Sequence, residues 1–254
     1  MNTLEFDQYR IEAENICVDY NGKVALYDAS LRLKSGQICG LVGMNGAGKT
    51  TFFNALTGFV NLSKGKIRIN GDSLSLAQRE QAVAYVPQSD GIDINFPINV
   101  WDAVMMGRYG SMNMFRSPRE SDIQAVRNAI EKVELIDFIS SPIGHLSGGQ
   151  RKRTFLARAI AQRASVLLLD EPFSGVDIRT EKLISELFIE FKREGKTILL
   201  STHDMIHVRE LCDLVLLINK TVVAYGDTSE VFTRENITST FGGMSPDVLF
   251  GPES

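Results

Sequence analysis

The chain is constrained most by a glycine-rich stretch at residues 43–50, which reads GMNGAGKT and matches the pattern G-x-x-x-x-G-K-[ST] without a gap. An apolar run at residues 38–42 precedes it, and a helix-compatible stretch at residues 51–56 follows and ends at Gly58. Strand, glycine loop and helix in this order let successive backbone N–H groups point at phosphate oxygens. A glycine turn that merely ends in Lys-Thr is the alternative, and the flanking strand and helix argue against it. The stretch therefore predicts a phosphate-binding loop.

Two side chains at the end of this loop have the chemistry for a nucleotide and its metal ion. The ammonium of Lys49 would reach the β and γ phosphates, and the hydroxyl of Thr50 would bind Mg²⁺. The positive end of the following helix adds to the attraction for phosphate. The loop thus predicts a nucleotide with Mg²⁺ as its ligand.

Composition and charge narrow the class of protein. A chain of 254 residues is long enough for a full core, and its net charge of -4 argues weakly against nucleic acid as the main partner. Residues 1–7 lack the basic and apolar regions of a secretory signal, and no apolar run approaches the roughly 18 residues of a membrane span. Cys17, Cys39 and Cys212 are scattered without metal-site spacing. These features predict a soluble, cytoplasmic protein in a reduced compartment, without a zinc site.

The pattern of apolar residues predicts an α/β fold with an antiparallel part. Residues 11–19 and 31–34 alternate as strands, and residues 66–69 alternate just before a strong hairpin signal, Asn70-Gly71. Further strands are predicted at residues 82–86, 166–169, 197–200 and 215–218. The last three are continuous apolar runs that alternate with helical stretches, which is typical of a parallel sheet covered on both faces.

A mostly helical block interrupts these strands at about residues 89–163. One helix is predicted to begin at Ser121, with a capping-box spacing to Gln124, and another to run from about Gly149 to Gln162. A change from strands to helices indicates a subdomain. We therefore expect one domain of three parts, which are a core at residues 1–88 and 164–228, a helical subdomain at residues 89–163, and a C-terminal helix and tail at residues 229–254.

Two adjacent carboxylates end the apolar strand at residues 166–169. Because side chains alternate along a strand, Asp170 and Glu171 point in different directions and can hold different roles. Asp170 suits a contact to Mg²⁺, direct or through water, whereas Glu171 could orient and deprotonate an attacking water. The alternative is a pair of solvated charges at a strand end, which the phosphate loop upstream makes the weaker interpretation.

A second glycine site, LSGGQ at residues 146–150, lies directly before a basic helix. A serine and two free glycine amides at a helix N-terminus form another potential anion site. One chain with two phosphate-binding elements allows two interpretations. Either the chain binds two anions, or one element serves a nucleotide that is held by a second chain.

Taken in order, these motifs resemble those of the nucleotide-binding subunits of ATP-binding cassette (ABC) transporters. The phosphate loop, the LSGGQ signature at residues 146–150 and the strand at residues 166–171 occur in the family's order, and the likeness covers nearly the whole chain. It implies a P-loop NTPase with a mostly parallel central sheet, an N-terminal antiparallel β part and an inserted helical subdomain. In that family two cassettes pack head to tail, and each ATP lies between one chain's loop and the other's signature.

The resemblance also implies roles for individual residues, with ATP and Mg²⁺ as cofactors. The residues of one chain that would contact ATP are Tyr20, Gly43, Asn45, Gly46, Ala47, Gly48, Lys49, Thr50 and Thr51. Those that would reach the ATP of the second chain are Ser147, Gly148, Gly149, Gln150 and Asp177. Mg²⁺ would be held by Thr50, Gln88 and Asp170, and catalysis would use Glu171, His203 and Gln88.

Several of these positions also have a simpler structural interpretation. Tyr20 would stack on adenine, or it is a strand-end aromatic packed on the core. Asp177 would lie at the dimer seam, or it caps the following helix, or both. His203 would contact the γ phosphate, or it is a polar strand end, which is the interpretation given to His145 and His207.

One segment bears on the cargo. Four methionines lie between residues 105 and 114. Methionine side chains suit an adaptable docking surface for a partner helix, and they also fill cores. A methionine metal site is the weakest of the three interpretations. The stretch from residues 95–97 through residues 106–110, together with residues 170–177, resembles the ATPases of bacterial importers of manganese, iron or zinc. The cassette itself would not touch the metal.

The resemblance therefore implies an ATP-hydrolysing subunit of an importer for a divalent transition metal, peripheral on the cytoplasmic face of the plasma membrane. Its partners would be a second copy, integral membrane permease subunits and an extracytoplasmic metal-binding protein, with no nucleic acid. The alternatives are a soluble cassette ATPase that acts on nucleic acid or ribosomes and an importer ATPase for another substrate. A non-enzymatic ATP-binding adaptor and a small-molecule P-loop kinase are weaker alternatives.

Overall fold

A computed structural model describes residues 9–88, 97–112 and 115–242. Parts of several predictions therefore lie outside the described residues. These parts are the N-terminal residues 1–8, residues 89–96 at the start of the helical block, Met114 and the tail from residue 243.

The described residues contain ten strands in two sheets. The strands are β1 (Tyr9–Tyr20), β2 (Lys23–Lys34), β3 (Ile38–Val42), β4 (Lys64–Ile69), β5 (Asp72–Ser73), β6 (Val83–Val86), β7 (Val166–Asp170), β8 (Thr197–Ser201), β9 (Leu214–Asn219) and β10 (Thr221–Asp227). One sheet is antiparallel in the order β2-β1-β4-β5, and the other has the order β10-β9-β3-β8-β7-β6. In the second sheet only the β9–β10 pair is antiparallel among the described strands. The predicted α/β class, with a mostly parallel sheet and an antiparallel part, is confirmed.

The helices cover both faces of the parallel sheet and form the block between β6 and β7. They are α1 (Lys49–Thr57), α2 (Leu74–Arg79), α3 (Val100–Met105), α4 (Glu120–Lys132), α5 (Gly148–Gln162), α6 (Ile178–Arg193), α7 (Met205–Leu211), α8 (Thr228–Val231) and α9 (Arg234–Thr240). Short 3-10 helices lie at Met106–Ser111, Ile136–Phe138 and Ile143–His145. No helix in the described part of the chain is both long and apolar enough to cross a bilayer.

The parallel sheet has an apolar cluster on each face. Leu167 and Leu169 of β7 belong to one cluster with residues of α4, α5 and α6, whereas Val166 and Leu168 belong to the other with residues of β1, β2 and α1. Successive side chains of a strand point to opposite faces, so a strand that is covered on both sides must be apolar throughout. This explains the continuous apolar runs of the sequence.

The helical block differs in detail from the prediction. Helix α4 begins at Glu120, not at Ser121, and its first turn is closed by Asp122 Oδ2, which accepts a hydrogen bond from Arg119 N at 3.0 Å. Gln124 instead donates to Asn128 at 2.6 Å, so the predicted Ser121–Gln124 capping box is wrong. Asp122 also forms a buried ion pair with Arg108, at 3.0 Å, so a tertiary contact holds its side chain where it caps the helix.

Helix α5 begins at Gly148, one residue before the prediction, because Ser147 and Gln150 cap it reciprocally. Ser147 Oγ accepts from Gln150 N at 3.2 Å, and Gln150 Oε1 accepts from Ser147 N at 2.8 Å. This is a capping box, which satisfies two amides of the first turn. The cap fixes the end of α5 that carries the second glycine site.

Two further expectations change. The described C-terminal region from Thr228 holds two short helices, α8 and α9, instead of one.

Of the clustered methionines, Met105 is buried and Met112 packs on the core, whereas Met106 is 44% exposed. Core filling therefore accounts for Met105 and Met112, and Met106 alone of these three is left facing solvent.

Candidate active site

The predicted site residues lie at one edge of the parallel sheet. Strands β3, β6, β7 and β8 run parallel, so their carboxyl ends meet at the same edge, and Asp170 of β7 is paired with Ser201 of β8. The glycine loop follows β3, Gln88 follows β6, and His203 follows β8. In open α/β sheets this edge is where ligands bind. The topology thus assembles residues that are more than a hundred positions apart in the chain.

The glycine loop at residues 43–50 joins β3 to α1 and requires glycine at two tight positions. A Cβ at Gly43 would lie 2.3 Å from the carbonyl oxygen of Ile218, and Gly48 has a φ of 101° with Leu26 Cδ2 2.7 Å from the position of a Cβ. Larger residues would collide with β9 or β2. The loop therefore follows the backbone path that its glycines predict.

Lys49 lies at the start of α1 and folds back over the loop. Its Nζ donates to the carbonyl oxygens of Gly43, at 2.7 Å, and Met44, at 3.2 Å. Burial lowers the pKa of Lys49, while the negative charges of Glu171 and Asp170 act in the opposite direction. A lysine held in this way carries its charge into the centre of the loop.

A cavity of about 430 Å³ opens beside the loop. Among the predicted residues its walls include Tyr20, Asn45, Gly46, Gly48, Lys49, Thr50, Thr51, Gln88, Asp170, Glu171 and His203. Gly43 and Ala47 shape the loop without lining the cavity. Lys23, Ser174 and Lys220 also line it and were not predicted. Lys23 and Ser174 lie within three residues of the predicted Tyr20 and Glu171, whereas Lys220 has no predicted site residue near it in the sequence.

Asp170 is held by hydroxyl groups. Its Oδ1 accepts from Ser201 Oγ at 2.5 Å, and its Oδ2 is 3.4 Å from both Thr50 Oγ1 and Tyr85 Oη. Burial and the nearby charge of Asp170 raise the pKa of the Tyr85 phenol, which keeps that group a donor. Two of the three residues predicted to hold Mg²⁺, Thr50 and Asp170, therefore face each other. Tyr85 and Ser201 were missed because strand order is not readable from the sequence.

Glu171 lies just after the end of β7 with a φ of 51°, so the turn, and not alternation along the strand, sets its direction. Its Oε2 lies 2.9 Å from Nδ1 of His203, and its backbone N–H donates to Ser201 Oγ at 3.0 Å. The side chain of Glu171 is 11% exposed and that of His203 is 69% exposed. The two adjacent carboxylates thus have separate partners, and Glu171 forms a pair with the histidine at the cavity wall.

Tyr20 and Gln88 stand at the rim of the cavity. Tyr20 ends β1 and is 45% exposed, so the alternative in which it packs on the core does not hold. Gln88 follows Pro87 at the end of β6, on the same wall as Asp170 and Glu171. Both side chains are in position to contact a ligand in the cavity.

The residues predicted to act on a second chain's ATP form a separate group. Ser147, Gly148, Gly149, Gln150 and Asp177 do not line the cavity. A Cβ at Gly149 would lie 3.5 Å from Asp177 Oδ2, which places the N-terminus of α5 beside the start of α6. Asp177 caps α6, because its Oδ1 accepts from the backbone N–H of Thr180 at 2.9 Å. Hydrogen bonds from Thr180 lower the pKa of Asp177.

The interpretation of His145 and His207 as polar strand ends is wrong. His145 lies in a short 3-10 helix, and His207 lies inside α7. The imidazole of His207 stacks on the ring of Phe173, with centroids 4.0 Å apart, and its Nε2 is 2.8 Å from Glu181 Oε1. Tertiary packing of α7 on α6 buries this histidine, which local sequence does not reveal.

Comparisons with known proteins agree with this geometry. A family model described as ABC transporter matches residues 26–174. The manganese transport system ATP-binding protein MntA of Synechocystis sp. is 48% identical over 92% of this chain and 90% of its own length. The chelated iron transport system membrane protein YfeB of Yersinia pestis is 49% identical over 94% of this chain and 81% of its own length.

A solved structure points the same way. A metal-chelate type ABC transporter in an inward-facing conformation superposes with a TM-score of 0.81 at 30% identity, covering 92% of this chain and 89% of the other. The fold is thus shared along with the sequence. With its glycine loop, carboxylate pair and signature in place, the chain belongs to the ABC transporter family as a nucleotide-binding, ATP-hydrolysing member.

Proposed function

We propose that this chain is the ATPase subunit that energises import of a divalent transition metal, manganese, iron or zinc, through separate membrane subunits. The observation that carries the proposal is the single cavity that unites Lys49 and Thr50 of the glycine loop with Asp170, Glu171 and His203. The cargo class is supported by relatives named for manganese and chelated iron transport. The metal cargo would pass through the membrane subunits and not through this chain.

ATP would lie along the glycine loop with its phosphates over the N-terminus of α1. Lys49 would exchange the carbonyl oxygens of Gly43 and Met44 for phosphate oxygens, which are stronger acceptors because they are charged. The backbone amides of the loop and of the first turn of α1 would donate to the same phosphates. The exposed ring of Tyr20 would stack on the adenine.

Mg²⁺ fits the donor set at the base of the cavity. Thr50, Asp170 and Gln88 offer hydroxyl, carboxylate and amide oxygens, which are the ligands that this ion prefers. The facing oxygens of Thr50 and Asp170 are 3.4 Å apart. When bound, the ion would neutralise charge on the β and γ phosphates.

Glu171 would act as the general base for hydrolysis. Its carboxylate lines the cavity and is held by His203, so it is directed to the region where the γ phosphate would end. A carboxylate in that position orients a water molecule and accepts its proton as the water attacks phosphorus. His203 would then contact the γ phosphate by donating from Nε2, the ring nitrogen that does not meet Glu171.

A second copy would complete each site. The group at Ser147–Gln150 and Asp177 has the amides and capped helix end suited to a phosphate, yet it lies outside this chain's own cavity. A head-to-tail pair would bring the signature of one copy onto the ATP of the other. ATP would close the pair, and hydrolysis would reopen it.

The membrane subunits would bind the groove between the core and the helical block. This groove, of about 480 Å³, is lined by Tyr85, Pro87 and Arg158, and by Phe59, which is 72% exposed. It adjoins Gln88, so movement of a docked segment would reach the nucleotide. We place the chain on the cytoplasmic face of the plasma membrane, with an extracytoplasmic metal-binding protein delivering cargo to the other face.

The proposal is tested by transport in proteoliposomes that contain this chain and its membrane permease subunits. We expect ATP-dependent uptake of radioactive Mn²⁺, Fe²⁺ or Zn²⁺, and none with Glu171→Gln in place of the native chain. Uptake of a different solute with no metal uptake would contradict the cargo. Stimulation of hydrolysis by nucleic acid or ribosomes, and not by the membrane subunits, would contradict the transporter role.

A further inference from the structure

The turn after β7 carries the catalytic carboxylate on a backbone that needs support. Glu171 has a φ of 51° and Gly175 a φ of 67°, so the turn enters and leaves through the left-handed region. A residue with a Cβ disfavours that region and persists there only when its surroundings hold it. The position of Glu171 therefore depends on the groups that fix this turn.

Three side chains hold Glu171, and one of them comes from the signature helix. Ser201 accepts from the backbone N–H of Glu171 at 3.0 Å, and His203 lies 2.9 Å from its carboxylate. Lys152 of α5 donates from Nζ to the carbonyl oxygen of Glu171 at 2.8 Å, and also to that of Ser174. Lys152 thus bridges two carbonyl groups of the turn and does not line the cavity.

The same end of α5 also meets the far end of the turn. A Cβ at Gly148 would lie 3.7 Å from the carbonyl oxygen of Gly175, and one at Gly149 would lie 3.5 Å from Asp177. Lys152 is only five residues after the Ser147 cap of this helix. The N-terminus of α5 and the catalytic turn therefore form one connected unit within the chain.

We propose that Lys152 is a positioning residue that couples the two ATP sites of the dimer. Its ammonium ties the backbone of Glu171 to α5, so that when a second copy's ATP engages the N-terminus of α5, the catalytic carboxylate of this chain is stabilised in its working position. This rests on the head-to-tail dimer of the proposed function. An ammonium suits the role, since one nitrogen with three donors reaches two carbonyl oxygens at once.

The test compares hydrolysis rates across ATP concentrations for the full-length chain and three variants. Lys152→Met keeps the apolar stem without the donors, Lys152→Arg keeps charge and donors, and Lys182→Met removes a lysine from α6 whose side chain is 78% exposed. We expect a Hill coefficient above one for the native chain and for Lys182→Met. For Lys152→Met we expect a coefficient near one and a kcat at least ~5-fold lower, with partial rescue by Lys152→Arg.

Two further measurements separate coupling from folding and from dimer formation. Thermal unfolding of each variant reports on stability, and Lys152→Gln, which keeps a donor, replaces Lys152→Met if the latter does not fold. Size-exclusion chromatography of Glu171→Gln with ATP reports on the dimer. Cooperative hydrolysis by Lys152→Met, or a native Hill coefficient of one, would overturn the coupling, whereas absence of an ATP-dependent dimer would overturn the proposed dimer itself.

Discussion

At the scale of residues, the site is built on two neighbouring carboxylates with opposite surroundings. Asp170 is 6% exposed and is surrounded by the hydroxyls of Ser201, Thr50 and Tyr85, whereas Glu171 faces the imidazole of His203. Hydroxyl donors satisfy the oxygens of Asp170 and hold this carboxylate in one orientation, which suits a metal ligand. A carboxylate beside an imidazole at a cavity wall is placed for proton transfer. In the proposed function, the end of one strand would therefore supply both the metal ligand and the general base.

Replacing Glu171 with glutamine separates binding from turnover. The amide keeps the size of the side chain but cannot accept a proton, so we expect ATP affinity to be retained and phosphate release to fall by roughly 10²- to 10⁴-fold. Equilibrium binding of a fluorescent ATP analogue and a phosphate-release assay measure the two quantities. Glu186→Gln, on the exposed face of α6, is the control. Turnover at the native rate would exclude Glu171 as the base.

Tyr85 makes a pH-dependent contribution to stability. Its pKa is raised in the folded protein, so above the ordinary tyrosine pKa of about 10 the unfolded chain ionises while the folded phenol keeps its proton. The stability from this group is present below pH 10 and is lost as the pH rises further. We expect Tyr85→Phe to lose less stability than the native chain between pH 9 and pH 11.

Urea unfolding at several pH values measures this difference. Tyr27→Phe, at a ring that is 63% exposed, serves as the matched control and should follow the native chain. Parallel pH profiles for Tyr85→Phe and the native chain would contradict the expectation. Burial also raises the pKa of Tyr225, to about 12. This residue is present in all three proteins, so its contribution to the pH profile is the same in each.

At the scale of elements, the ion pair of Arg108 and Asp122 organises the helical block. The side chains are 10% and 4% exposed, and Arg108 also donates to the carbonyl oxygen of Ala161 in α5 at 2.9 Å. Removing one partner of a buried pair leaves the other charge without compensation. We expect Asp122→Ala to lower the free energy of unfolding by about 3 kcal/mol or more.

Denaturant unfolding of Asp122→Ala checks this value. Glu120→Ala changes an exposed acidic residue in the same first turn and should cost about 1 kcal/mol or less. Equal losses for the two variants would mean that the ion pair does not hold the block together.

Much of the fold could be predicted because strong local patterns set it. The continuous run at residues 166–169 became a strand buried on both faces, and Asn70-Gly71 became the hairpin between β4 and β5, with a φ of 55° and 82° at the two residues. Helices α2 and α7 were missed, because they are short and tertiary contacts stabilise them more than local preference does. Strand β10 was also missed; it lies at the edge of its sheet and none of its residues is fully buried. The start of α4 was missed for a related reason, because Asp122 forms an ion pair with Arg108 as well as capping its own helix.

The candidate site was predictable as far as each member follows a marked strand end. The loop at residues 43–50, Asp170, Glu171 and His203 were found in this way, and they meet in the cavity. Ser201, Tyr85 and Lys152 could not be found, because their roles depend on which strands and helices are neighbours. The sequence identifies the residues with reactive side chains, whereas the residues that hold them in place depend on which elements are neighbours in the fold.

At the scale of the whole molecule, the dimer of the proposed function divides each ATP site between two chains. Residues 147–150 do not line this chain's own cavity, and a Cβ at Gly148 would lie 3.7 Å from the carbonyl oxygen of Gly175. If two copies complete each other, variants that damage different halves should restore one another. If each site were contained within one chain, mixing two inactive variants would not restore hydrolysis.

Mixing Lys49→Ala with Gly148→Asp tests this arrangement. Lys49→Ala removes tight nucleotide binding, and Gly148→Asp introduces a negative charge where phosphate would approach, at a position where a Cβ has ordinary contacts. Each variant alone should be inactive. A mixed head-to-tail dimer would contain one intact site, so we expect hydrolysis above the sum of the separate samples. A rate no greater than that sum would contradict shared sites.

The bonds of Lys49 to the carbonyl oxygens of Gly43 and Met44 have a further consequence. Because the loop satisfies its own lysine, it does not need a phosphate in order to hold its shape. The ordering entropy of the loop is then lost during folding and not during binding. A nucleotide that binds the loop would exchange these two internal hydrogen bonds for bonds to its own phosphate oxygens. Binding at Lys49 would then be a substitution of acceptors and not the ordering of a loop.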